Sequence, residues 1–341
     1  MRTTVIPAVL ASASLVVGAG SSFAGTLSEV QERGTLSCGV TTPIAGFAAP
    51  DAGGTWVGFD VGLCRAVAAA VLGDPMAVSF IETTPDSRFE TLGDGSVDLL
   101  ARNTTWSFHS DVGRDFTFVG INYYDGQGFM VPKSLGYTSA RELNGVSICV
   151  KGETTSALNL EDFFRINNID YQPVLVDTNE EAQDLYLAGD CQAFTSDASG
   201  LAATRAGFIT PGEHTILPEM ISKEPLGPLV REGDDEWADI VRWVLFALIA
   251  AEELGITSTN VAEMASERTA NPEINRILGT EGELAAMIGL NPGWATAAIL
   301  AGGNYGELFE KHIGENTSIG LPRGLNAQWT NGGLIYAPPF R

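Results

Sequence analysis

Two series of alternating strand-like and helix-like segments, split by a long extended stretch, constrain the fold of this chain more than any other feature. In the first series Thr35–Thr41, Ala77–Thr83 and Val97–Ala101 read as strands. Between them lie a helix opening at Asp60 as N-cap and closing at Gly73, and a shorter helix over Asp86–Leu92. Phe59, Leu63, Val67 and Val71 fall on one face of the longer helix. The second series sets strands at Val146–Val150, Tyr171–Val176 and Gln192–Ser196 among helices at Thr155–Asn167, Glu180–Ala188 and Ala198–Ala206. Phe116–Val131 reads as extended and carries the chain from one series to the other; Leu226–Val230 is extended again, and the remainder is mostly helical. β-α units of this kind build parallel sheets covered by helices. Two such lobes joined by two crossovers, near Asp125–Val131 and Leu226–Val230, make an α/β clamshell whose cleft closes about a hinge. Its 341 residues exceed what one core usually holds, in keeping with two lobes. We expect lobe 1 at residues 25–127 and 228–341, with a C-terminal helical extension, and lobe 2 at residues 128–227.

The first residues have the pattern of a secretory leader: Arg2, an apolar run from about Val5 to Gly18, and small residues at Ser22 and Ala24. Cleavage is expected after Ala24, giving an exported chain with no lipid-anchoring Cys at its start. The net charge of −23 repels phosphate backbones and argues against nucleic-acid partners. Solubility in a salty habitat is its simplest meaning. Asp235–Leu254 carries the apolar block Val244–Ala251, which is short for a membrane span and reads as a buried packing helix. Cys38, Cys64, Cys149 and Cys191 form an even set in an exported chain, which suggests two disulfides with three possible pairings. We favour Cys38–Cys64 and Cys149–Cys191, because each pair links a strand to a nearby element of the same lobe. With no Cys-x-x-Cys and with His109, His214 and His312 scattered, neither a metal site nor a cofactor is expected.

Function is read at the strand ends. In open α/β sheets ligands sit off the carboxyl ends of strands, and Asn103, Thr104 and Thr105 follow the strand Val97–Ala101 directly. Hydroxyls and an amide suit holding a small polar molecule; the pairing of nucleophile and base that chemistry needs is missing. Thr154 and Thr155 open the helix after Val146–Val150, where free N–H groups and the helix dipole favour an anion.

Long stretches then carry a resemblance. TWVGFDVGLCRAVAAAV (Thr55–Val71), RNTTW (Arg102–Trp106), YYDGQGFMVP (Tyr123–Pro132), TSDASGLA (Thr195–Ala202), ISKEPLGPLVREGDDEW (Ile221–Trp237) and NYGELFE (Asn304–Glu310) resemble the general L-amino-acid-binding proteins of bacterial ABC transporters. The similarity runs from about Leu27 to Arg341. It implies a type II periplasmic-binding-protein fold and a role as an extracytoplasmic solute-binding protein. Such a protein carries a small amino acid or amine-type ligand to the permease subunits, and a monomer is the default expectation for this chain. Asp197 holds the position where similar proteins bind the ligand's ammonium, although it also stands where a helix N-cap would. Phe47 is placed to cover the ligand face, as aromatics in this family often do, whereas Trp56 reads as a packed loop residue.

The chain departs from the family pattern at two places. Ser110 stands four residues after Trp106, where relatives usually carry an Arg that clamps the carboxylate; its loss weakens carboxylate binding about 10- to 100-fold. Gly152-Glu153 replaces the usual Thr-Gly before Thr154, placing a competing carboxylate at the helix end. Arg102 is expected to pair with a structural carboxylate and Arg114 to be solvated. Taken together, these features predict a cleft poor in positive charge and a ligand with weak demand for carboxylate capture or with extra positive charge. Two alternatives stand beside carriage: a dehydratase-like enzyme on the same scaffold, with Glu153 as acid and Asp197 as partner, and a module that docks on a signalling receptor.

Overall fold

The computed structural model describes residues 25–341, so the leader and the cut after Ala24 lie outside the described residues. Two five-stranded sheets are built on one plan. In the first, Leu36–Thr41 lies between parallel neighbours Val78–Thr83 and Leu99–Leu100, and Leu229–Arg231 then pairs antiparallel with both Leu99–Leu100 and Phe116–Phe118. In the second, Val146–Lys151 lies between parallel Tyr171–Val176 and Ala193–Asp197, and Gln127–Pro132 pairs antiparallel with Ala193–Asp197 and His214–Ile216. Each sheet therefore receives its antiparallel strand from the chain that has just crossed over from the other.

The crossovers themselves pair with each other. Tyr123–Asp125 runs antiparallel to Glu224–Leu226 as a separate two-stranded ribbon. These ribbon strands precede Gln127–Pro132 and Leu229–Arg231, so part of each stretch read as crossover from sequence belongs to a sheet.

Helix Phe59–Leu72 is capped two residues earlier than the sequence suggests, by Gly58 rather than Asp60. Gly58 has φ 141°, and a Cβ there would meet the Phe47 carbonyl oxygen at 2.1 Å, so only glycine fits. Asp60 turns inward instead, accepting from Asn122 Nδ2 at 3.3 Å, and burial pushes its carboxyl up to about 7. Helix Asp235–Glu253 is buried along one face, and its Trp237 indole donates to the Asp98 carbonyl at 2.8 Å. Among the described residues no helix is long and apolar enough to cross a membrane. Disulfides join Cys38 to Cys64 and Cys149 to Cys191, with Cα separations of 6.3 and 5.6 Å.

Candidate functional site

A cavity of about 390 Å³ opens between the lobes at the carboxyl ends of strands from both sheets. Arg102, Asn103 and Thr104 follow Leu99–Leu100; Lys151 ends Val146–Lys151, and Asp197 ends Ala193–Asp197. Asn103 takes a left-handed φ of 54°, a conformation asparagine tolerates better than most residues. The Nε of Arg102, the Oδ1 of Asn103 and the Oγ1 of Thr104 are buried without a hydrogen-bond partner. An unmet buried polar atom costs about 1–3 kcal/mol. Three such atoms in successive residues make this stretch of the cavity lining a candidate for contact with a bound molecule.

The electrostatics overturn the expectation of a cleft poor in positive charge. Arg88, Arg102 and Lys151 all line the cavity. None of them belongs to an ion pair among the described residues. Arg102 is 5% exposed, and its one contact of note is a long 3.5 Å approach to Thr41 Oγ1. Burial pushes Arg102 down to about 9 and Arg88 to about 10. Lys151 falls to about 8, first through burial and then through Arg102 and Arg88. These are desolvated cations that repel one another, and an anion in their midst relieves both penalties. Arg102 forms no close ion pair among the described residues, but the buried Asp60 carboxylate and Asp197 both attract it. Arg114 is exposed but lies 4.4 Å over the Phe89 ring at the same cavity.

Asp197 lines the same cavity, near enough to Lys151 and Arg102 for both to favour its charged form. Asp197 holds the N-cap position of helix Ala198–Ala206 yet makes no side-chain cap bond, which leaves its carboxylate to the cavity. Burial raises it well above the usual carboxylate range, and the neighbouring charges of Asp125 and Glu224 push the same way. Asp125 is raised to about 6 by burial, against the stabilising bonds from Ser199 and the Gly126 N–H. Thr105 and Thr155, from opposite lobes, bring their hydroxyls to 3.1 Å, and Arg88 Nη2 reaches across to the Glu153 carbonyl at 3.4 Å. The lobes therefore touch over the ligand space.

The remaining expected site residues fall into three groups. Asn103, Thr104, Thr105, Thr155 and Asp197 come together at the cavity. Ser110, Glu153 and Thr154 line it but are otherwise engaged. Ser110 Oγ donates to the Thr105 carbonyl at 2.7 Å and accepts from Ser107 N, so it shapes the loop that presents Thr105. Thr154 donates to the Lys151 carbonyl at 2.7 Å and caps its helix through Ala157 N. Glu153 is exposed, with a left-handed φ of 48° that turns the loop. Phe47 is the correction: it is 1% exposed and packs edge-on against Phe59 and Tyr123 in the core of its lobe, away from the cavity. Its apolar ring stabilises more by filling that core than by facing a polar cleft.

The cavity lining adds Arg88 and Lys151 to the residues expected from sequence, and Glu224 lies behind it, bonded to Thr105 and Thr155. Lys151 was accessible to the rule that picked out Asn103, since it ends a strand of the second sheet. Arg88 opens the helix Arg88–Gly93, where a cation opposes the helix dipole, and that misplacement is itself a signal. Glu224 is a charged residue inside a crossover of apolar character.

Comparison with known proteins places this geometry in a family. The sequence profile of bacterial extracellular solute-binding proteins, family 3, matches residues 36–259. The glutamate/glutamine/aspartate/asparagine-binding protein BztA of Rhodobacter capsulatus is 57% identical over 332 residues, 97% of each chain. The general L-amino acid-binding periplasmic protein AapJ of Rhizobium johnstonii is 49% identical over the full length of both. A solved ABC-transporter periplasmic binding protein of Brucella ovis, with glutathione bound, superposes with a TM-score of 0.90 at 48% identity, covering 93% of this chain and 100% of its own. With two sheets of one plan, a paired crossover and a polar cleft between them, the chain belongs to the bacterial extracellular solute-binding proteins, family 3.

Proposed function

We propose that the cleft holds an L-amino acid with an acidic or amide side chain and that the closed protein delivers it to the permease subunits of an ABC importer. The observation that carries this reading is one cavity lined by three desolvated cations that belong to no ion pair, Arg88, Arg102 and Lys151, and by the Asp197 carboxylate. An α-amino acid presents an ammonium and a carboxylate and so matches groups of both signs. Its single carboxylate does not use three cations. A second carboxylate or amide oxygen on the ligand side chain does, with Arg88 and Lys151 beside Arg102. The name of the Rhodobacter relative, which specifies acidic and amide amino acids, supports the same class.

Glutathione is a second reading with its own support. It carries two carboxylates and one ammonium, the charge pattern of glutamate in a longer molecule, and the Brucella relative holds it. A cavity of about 390 Å³ suits the longer ligand. We read the site as holding its ligand without transforming it, and the mature chain as periplasmic after removal of the leader behind Ala24. We read lobe 1 as residues 25–127 and 228–341 and lobe 2 as residues 128–227, a division supported by the ribbon strands Tyr123–Asp125 and Glu224–Leu226, which end close to each boundary.

Calorimetric titration against L-glutamate, L-glutamine, glutathione, glycine betaine and cadaverine tests the reading. The first three, or glutathione alone, should bind with one site per chain. Stronger binding of betaine or cadaverine would contradict it. Recovery of the bound compound chemically unchanged after long incubation separates carriage from catalysis.

A further inference from the structure

We propose that Glu224 is a closure latch: its buried carboxylate bonds helix Thr155–Asn167 of the second lobe only while the lobes are shut, and so sets how long the cleft keeps its ligand. The role rests on the preceding reading for the ligand that closure encloses. It goes further, since it places control of release in Glu224 and Asn159, neither of which lines the cavity.

The second crossover changes its bonding partners at this residue. Before it, Ile221 N donates to the Gln127 carbonyl at 2.9 Å and Ser222 Oγ accepts from Gln127 N at 3.1 Å, which ties the chain to the second sheet. After it, the Pro225 carbonyl accepts from Trp106 N at 2.7 Å and Gly227 N donates to the Thr104 carbonyl at 3.1 Å, both in the binding loop of the first lobe. The other crossover does the same at the same rung. Tyr124 is held by Asn326 of the C-terminal extension, whereas the Gly126 carbonyl accepts from Ala198 N of the second lobe at 2.8 Å. Asp125 stands between them, in register with Glu224. The lobes therefore turn about Asp125 and the pair Lys223–Glu224, and Glu224, joined directly to the fixed Pro225, follows the first lobe.

The side chain reaches across this pivot. Glu224 is 1% exposed, and its carboxylate collects four donors. Oε2 accepts from Thr105 Oγ1 of the first lobe at 2.5 Å and from Thr155 Oγ1 of the second at 3.1 Å. Oε1 accepts from Asn159 Nδ2 of the second lobe at 2.7 Å and from Ser222 Oγ at 2.6 Å. Thr155 and Asn159 stand four residues apart on helix Thr155–Asn167, so one carboxylate holds two successive turns of it. Bonds to an ionised acceptor are among the strong ones, and one of 2.7 Å is lost once its atoms part by about 1 Å. Opening thus takes two donors from a buried charge. The ligand enters an open cleft, before these bonds exist, and leaves only after they break. They therefore act on release rather than on entry, and equally for every ligand that permits closure.

The test measures association and dissociation rates by stopped-flow tryptophan fluorescence for L-glutamate, L-glutamine and glutathione. Asn159→Ala removes one donor without touching the cavity lining. It should raise the dissociation rate of each ligand that binds about tenfold, by one common factor, and leave association within about twofold. Asn159→Asp sets a second carboxylate against Glu224 and should speed release further. Glu224→Gln, which keeps the shape and loses the charge, should release faster as well; the two Asn159 variants decide the matter if it does not fold. Unchanged dissociation in both Asn159 variants, slower association in its place, or faster release of one bound ligand and not another would overturn the latch. Failure of the wild-type protein to bind any of the three would overturn the preceding reading and the latch together.

Discussion

At the scale of single residues, the pH dependence of binding follows from two groups of opposite charge in the cavity lining. Asp197 is raised well above its ordinary value by burial, so in the empty cleft it retains a proton to higher pH than a solvated aspartate. An arriving ammonium favours the carboxylate and expels that proton. Lys151 is lowered to about 8 by burial, so above that pH the empty cleft has lost a cation that an anionic ligand must restore. Affinity for L-glutamate should therefore fall as the solution is acidified below about pH 6, where Asp125 also takes up its proton, and fall again above about 8. Calorimetry in buffers of different ionisation heat should find proton release on binding at the acid side and uptake at the alkaline side. An affinity flat from pH 5 to 9 would show that neither group meets the ligand. Much of this chemistry was hidden in the sequence for a physical reason. The pattern Asn-Thr-Thr reveals a polar strand end, but whether an arginine is paired is a fact about its neighbours in space. Arg102 looks the same in sequence with or without a carboxylate beside it.

At the scale of elements, the hinge ribbon is held on both edges. On one side the binding loop joins it, Trp106 N donating to the Pro225 carbonyl at 2.7 Å and Gly227 N to the Thr104 carbonyl at 3.1 Å. On the other, Asn326 copies a neighbouring strand: its Oδ1 accepts from Tyr124 N at 2.7 Å and its Nδ2 donates to the Tyr124 carbonyl at 3.1 Å. Arg323 fixes Asn326 through two bonds to its carbonyl and is itself paired with Glu252. Tyr305 adds a bond from its hydroxyl to the Asn122 carbonyl at 2.9 Å. Tyr305, Arg323 and Asn326 lie beyond the segment matched by the family profile, so the C-terminal extension clasps the crossover. Replacing Asn326 by Ala leaves two polar groups of Tyr124 unpaired and should cost about 1–3 kcal/mol. The expected signs are a lower melting temperature and faster hydrogen exchange at the Tyr124 amide, with the second-sheet amides unchanged. Unaltered protection at Tyr124 would mean that the clasp contributes nothing. The sequence indicated a helical tail, because apolar periodicity is local. It could not indicate that an asparagine in an irregular loop mimics a strand, since that depends on a partner some two hundred positions away. The displaced cap at Gly58 has a similar origin, for Asp60 is the better capping residue locally but Asn122 offers it a buried bond.

At the scale of the whole molecule, the two-lobed plan was legible because each lobe repeats strand, helix, strand with uninterrupted periodicity. The direction of the cleft's charge was not, because it depends on three cations from three separate elements, Arg88, Arg102 and Lys151, converging at one place. Contacts between Thr105 and Thr155 and between Arg88 and Glu153 show the lobes closed upon the cavity. Closure of this kind brings Arg88, Arg102 and Lys151 together when the cleft is empty. A ligand with charge of both signs favours the closed form by its differential affinity for it. Small-angle scattering of the purified protein, with and without L-glutamate or glutathione, tests that claim most directly. The account predicts a smaller radius of gyration in the presence of one of these zwitterions and none with cadaverine. Binding without compaction, or compaction by the diamine, would contradict it.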